Sequence, residues 1–323
     1  MSDRRQFLQS VLAAAACGSP REAAAAASFA VEFQLPFPVG GMPPPTFENG
    51  FVTVLDSTMT LVFLVDLEGR LVSNFSPRIP GAAVERISHV AVSRAGKLVL
   101  AMSAKDGSGR YSFFLGMADL SGQLSKLVQL HPYAVARPLF LPDGRLFCLG
   151  KEYDSHFTSV PGHQVLRFYS PEGVLLNKAL NVDSFGSAAS HPVTWKPALG
   201  SDRVGLLDSE YLRYCEIDFA GKIVRPVSKL GVAEHTMVTG LVLLPNGDRL
   251  ATLDIPKMIN GCPQYGSTCG VVQISDTAAG GLSLRERTDL MPAEPGGFVS
   301  FIGSHEGKPV FLARKPDRIL IPA

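Results

Sequence analysis

The chain carries little charge, and neither sign is in excess. Of its 323 residues 18% are Asp, Glu, Lys or Arg, with 30 basic residues against 29 acidic ones. That is below the roughly 25% of an average soluble domain. No basic stripe interleaved with aromatics occurs, so the electrostatic footprint of a nucleic-acid binder is missing and nucleic acid is set aside as a partner. No apolar run is long enough to cross a hydrocarbon core of about 30 Å as a helix, and no transmembrane helix is expected. There is no Gly-x-Ser-x-Gly elbow, which excludes the strained nucleophile turn of α/β-hydrolases. Neither His-x-His nor His-Glu-x-x-His spacing occurs to predict metal ligation. The stretch most like a phosphate cradle, Asp106-Gly107-Ser108-Gly109, lies between two predicted strands with no helix N-terminus after it, and it reads as a flexible loop. What the chain does have is 46% hydrophobic residues, 31 Gly and 24 Pro, enough to bury a large core and to turn often.

Residues 1–27 read as a signal peptide. Asp3-Arg4-Arg5-Gln6-Phe7-Leu8-Gln9 precedes the apolar run Ser10 to Ala16, then come Arg21 and the small-residue stretch Ala23 to Ala27. Charged, apolar, small is the order of a secretory leader. The Arg-Arg-x-Phe-Leu core resembles a twin-arginine export signal, with Asp3 and Gln9 where that pattern has Ser or Thr and Lys. Ala14-Ala15-Ala16-Cys17 lacks the Leu of a lipoprotein box, which argues against lipidation at Cys17. A periplasmic or secreted protein follows, with residues 28–323 as one domain and a monomer expected.

One pattern recurs along those residues: a turn holding Gly, Asp or Asn, then an apolar strand. Its six copies begin Asn49-Gly50-Phe51, Ala95-Gly96-Lys97, Asp143-Gly144-Arg145, Ser201-Asp202-Arg203, Asn246-Gly247-Asp248 and Glu306-Gly307-Lys308. Short apolar segments such as Val90-Ala91-Val92 and Leu139-Phe140-Leu141 precede most copies. A second hairpin signal follows all but the last: Asp66 to Gly69, Asp119 to Gly122, Ser170 to Gly173, Asp218 to Gly221 and Asp276 to Gly280. Two hairpins make a four-stranded unit, and the units start 44 to 59 residues apart, near Pro45, His89, Pro138, Pro192, Thr239 and Phe298. Continuous apolar runs point to sheets covered on both faces. The expected fold is an all-β, six-bladed β-propeller with four antiparallel strands per blade. The last copy lacks a fourth strand, which Ser28 to Leu35 is expected to supply, closing the ring.

By its loose repeat and Gly-turn spacing the chain resembles six-bladed propellers of the NHL-repeat and bacterial surface-repeat kind. No blade shows a Trp-Asp ending. That resemblance implies a fold shared by sugar-lactone and ester hydrolases, lyases and plain binding scaffolds, so it cannot choose between an enzyme and a binder.

Long inserts fall between second and third strands, at Lys105 to Arg110, Glu152 to Gln164 and Ile255 to Gly270, on the face where the blade junctions also emerge. That loop-rich face is the expected functional face. The residues expected to line the channel mouth there are Arg86, His89, Arg137, His191, Glu234 and His235. Two readings of the histidines stay open, a metal or acid-base site and ordinary polar loops. Two readings of Arg86, Arg137 and Glu234 also stay open, an anion grip and inter-blade salt bridges. No catalytic residue can be named. One function hypothesis is a binding module for a small molecule, glycan or protein; the alternative is a periplasmic hydrolase or lyase assisted by Ca or Zn. Cys262 and Cys269 flank a six-residue loop and are expected to form a disulfide in an oxidising compartment.

Overall fold

The computed structural model describes residues 29–37, 44–185, 195–232, 235–260, 262–266, 269–291, 299–314 and 317–323. It is a six-bladed β-propeller, each blade a four-stranded antiparallel sheet. The signal-peptide reading of residues 1–27 lies outside the described residues.

The outer hairpins show why the repeat has the residues it has. At each third-to-fourth-strand turn a glycine sits at positive φ, among them Gly69 at 77°, Gly122 at 84° and Gly221 at 90°. Its amide donates to the carbonyl three residues back, at Asp66, Asp119 and Asp218 respectively. The same Asp side chain then accepts two further turn amides, as Asp66 does from Glu68 and Arg70 at 3.1 and 2.9 Å. Ser170 and Thr277 do this work with hydroxyls in blades 3 and 5. An Asx-type turn with glycine at the left-handed position is the local minimum this spacing encodes.

Second and third strands are buried almost throughout, whereas outer strands such as Leu71–Phe75 and Leu175–Asn181 are largely exposed. The apolar core is divided among six clusters, each spanning two neighbouring blades. Leu139, Phe147 and Leu166 of blade 3 pack on Trp195, Val204 and Leu206 of blade 4, for example. Leu35 and Val54 pack with Val310 and Ile319 across the seam between blades 1 and 6. Both faces of a middle strand are therefore dry, which is why it reads as an unbroken apolar run.

The N-terminal strand Phe29–Gln34 pairs with Arg318–Pro322 as the outermost strand of blade 6, as the missing fourth strand demanded. Joining both ends of the chain in one sheet leaves no open seam in the ring.

Three boundaries differ from the sequence reading. The innermost strands Ala82–Val92 and Tyr133–Phe140 begin well before His89 and Pro138, because Glu85 and Arg86 in the first and Arg137 in the second interrupt their apolar pattern. Asp106 to Gly109, expected as a loop, is a tight turn in which the long strands Leu98–Asp106 and Tyr111–Ala118 meet, with the amides of Ser108 and Arg110 donating to Asp106. The fifth-blade insert folds back as a small hairpin, Lys257–Ile259 on Cys262–Gln264.

Candidate functional site

The six innermost strands, Thr46–Glu48, Ala82–Val92, Tyr133–Phe140, Trp195–Leu199, Met237–Leu243 and Val299–His305, surround a central channel of about 800 Å³. That volume accommodates a small organic molecule.

Register places one side chain from each of blades 2, 3 and 4 at a common level of this wall. His89 pairs with Ala101, Arg137 with Leu149 and Lys196 with Leu207, the equivalent residues of their second strands. Gly240, opposite Thr252, holds the same position in blade 5. The ladder shifts by one residue just before His89, Arg137 and Gly240, and such bulges re-aim the next side chain. Three basic groups thus form an arc on one side of the channel. The opposite side is formed by Thr239, Gly240, Leu241, Phe301 and Pro45.

The arc is held by hydrogen bonds between blades. Arg137 Nη1 lies 3.1 Å from His89 Nδ1. A guanidinium can only donate, so Nδ1 accepts and the imidazole proton sits on Nε2. His89 is 6% exposed, and its Nε2 has no partner within the protein. Burial, then the adjacent Arg137 charge, holds the imidazole well below its ordinary range and keeps it neutral. Lys196 Nζ donates to the carbonyls of Val238 and Thr239 at 2.8 and 2.7 Å, reaching across to blade 5. Burial, aided by Arg137, pushes its ammonium down to about 7. Arg137 itself is brought down to about 10 by burial and by the charge of Arg86.

Among the described residues no carboxylate forms a salt bridge with Arg137 or Lys196. Two carboxylates line the channel, Glu306 at its exposed rim and Glu48, which accepts from the Val92 amide at 2.7 Å and is pushed by burial up to about 8. That shift favours the protonated form of Glu48 at neutral pH, so it does little to balance the charge of the arc. A basic arc in a concave, partly dry channel focuses positive potential inward. Each uncompensated cation is stabilised when an anion arrives.

Of the other residues expected at the mouth, Arg86 is exposed and near enough for its charge to act on Arg137. His235 is exposed at a φ of 64° and takes no part in the channel wall. His191 and Glu234 lie outside the described residues. No group of three or more His, Cys, Asp or Glu close enough to hold a metal ion occurs among the described residues. Cys262 is exposed and Cys269 half-buried, and the two are separate thiols here.

Lys196 is the member that sequence reasoning missed. Its signal was present: Arg137-Pro138 and Lys196-Pro197 are the same base-proline pair, placed just ahead of the blade turn in consecutive repeats. His89 and Arg137 likewise each stand seven residues before their turn glycine, Gly96 and Gly144.

No family model matches the chain, and no curated protein matches it. Among solved structures it is similar to the hydrazine synthase of Kuenenia stuttgartiensis, at 14% identity and a TM-score of 0.51, over 90% of this chain and 78% of that one. It is also similar to a protein of Bacteroides fragilis described as exported, at 14% identity and a TM-score of 0.50, over 88% and 83% of the two chains. At that identity the likeness is one of fold.

Proposed function

We propose that this protein is an exported binding module that takes a small anionic molecule into its central channel, which is bordered by the turns between first and second strands, at Asn49, Arg94, Pro142, Ser201 and Glu306, on the face opposite the long inserts. One observation carries the reading: His89, Arg137 and Lys196 converge at one level of a concave wall, with an unpartnered buried N–H and no carboxylate salt-bridged to either cation among the described residues. The ligand this fits has an acidic head for the arc and a short apolar body for Leu241 and Phe301 opposite. A metal-assisted hydrolase or lyase at the same mouth is the weaker reading, since cations on the arc repel a metal ion.

Export rests on Arg4-Arg5 and the apolar and small-residue stretches after them. In an oxidising compartment Cys262 and Cys269 would be able to pair, and a thiol titration of exported protein that counts both as reduced overturns that.

Thermal-shift screening of the full chain against short carboxylates, phosphate and sulfate tests the main reading. A subset should raise the melting temperature, by an amount that shrinks with added salt. Indifference to every anion would refute it.

A further inference from the structure

Lys196 differs from a plain charge on the channel wall. Its Nζ is placed between two backbone carbonyls of the next blade, Val238 O and Thr239 O, at 2.8 and 2.7 Å. A neutral primary amine has two N–H bonds and one lone pair. Donating both hydrogens to these carbonyls satisfies the amine completely and leaves the lone pair as the one unused direction of the nitrogen. The site therefore suits the unprotonated amine as well as the ammonium. Burial and the Arg137 charge bring the amine to about 7, so a substantial fraction is unprotonated at neutral pH. A lysine desolvated beside a second cation is the recognised setting for an amine that attacks carbonyls.

On the reading of the channel as an anion site, we propose that its ligands are small 2-oxo acids or aldehyde acids, captured reversibly as an imine on Lys196. Arg137 and the Nε2–H of His89 take the carboxylate, and Lys196 takes the carbonyl. The amine lone pair attacks the carbonyl carbon, forming the C–N bond while the carbonyl oxygen gains a proton. Loss of that oxygen as water, with both amine hydrogens accounted for in the water released, leaves the C=N bond. No oxidant, reductant or second substrate is required. A proton taken up from solvent converts this neutral imine to the iminium, whose single N–H serves one of the two carbonyls. Acetate offers the same carboxylate without a carbonyl and is held by the arc alone.

Borohydride trapping decides the matter. Full-length protein is incubated with pyruvate at neutral pH, reduced, digested and mapped by mass spectrometry. The expected result is one reduced pyruvyl adduct on the peptide containing Lys196, ahead of the exposed lysines and absent with acetate. Lys196→Arg should abolish it, and Arg137→Gln should lower its yield about tenfold through lost binding. Because mapping of the unaltered protein identifies the modified lysine directly, the test does not depend on either variant folding. Adducts spread evenly over surface lysines, or none on Lys196, overturn the proposal. If pyruvate and acetate both raise the melting temperature yet no adduct forms, imine capture fails and the anion site stands. If neither ligand shifts the melt and no adduct forms, both fall.

Discussion

Arg137 Nη1 donates to His89 Nδ1 across the seam between blades 2 and 3, at 3.1 Å. This one contact sets the tautomer of the imidazole and aligns two of the three basic groups of the channel. It also makes a prediction. His89 should be a neutral Nε2–H imidazole that does not titrate between about pH 5 and 8, where an ordinary histidine does. Nitrogen-15 NMR of the ring checks this. In Arg137→Gln the ring loses the adjacent charge, and its apparent pKa should rise. An unchanged titration would show that burial alone sets it.

Two channel groups shift in opposite senses, and their pH effects separate. Glu48 is raised from 4.5 to about 8, so between those values the native state holds a proton the unfolded chain has lost. Its contribution is fully present below about 4.5 and is lost as pH rises through about 8. Lys196 is lowered from 10.5 to about 7, so between those values the unfolded chain holds a proton the native state lacks, and stability rises with pH. Denaturation midpoints across this range should show Glu48→Gln flattening the acid limb and Lys196→Met the alkaline limb. Parallel curves for wild type and either variant would contradict the corresponding assignment.

Close approach of innermost strands gives a third test. A Cβ on Gly303 would stand 2.1 Å from the carbonyl oxygen of Phe47 in blade 1, and one on Gly240 2.3 Å from that of Phe301 in blade 6. Backbone cannot yield there without opening the ring. Gly303→Ala or Gly240→Ala should each cost about 1–3 kcal/mol in chemical denaturation. Gly231→Ala, where an added Cβ meets nothing within 4 Å, should stay within about 0.5 kcal/mol of wild type.

Ring closure is equally open to measurement. Phe29–Gln34 supplies the outer strand of blade 6, and Glu32 accepts from Arg318 at 2.5 Å. Phe33 also packs against Gly69 of blade 1. Deleting residues 28–38 should lower the melting temperature by several degrees or more, at roughly 2–4 °C per kcal/mol lost. A melt that does not move would mean that the ring closes without this strand.

Much of the fold was legible because the turns announce it. Asp66 with Gly69, Asp119 with Gly122 and Asp218 with Gly221 each encode a hairpin within four residues, a local signal that needs no tertiary information. Apolar runs such as Leu98 to Met102 are continuous because neighbouring blades cover both faces. The channel was harder to read. Its residues are isolated polar interruptions in otherwise apolar strands, so Arg137 reads as a channel-mouth residue ahead of its first strand rather than within it, and Lys196 as none in particular. What joins His89, Arg137 and Lys196 is cross-strand register plus the rotation from blade to blade, neither of which is adjacent in sequence. The neutral state of Glu48 depends on burial at the ring centre and has no sequence signature.

Titration calorimetry with pyruvate at two ionic strengths tests most directly whether the basic arc is an anion site. The wild-type chain should bind with an affinity that weakens as salt rises, and Arg137→Gln should lose about tenfold or more. Absence of binding at low salt, or an affinity untouched by Arg137→Gln, would contradict it.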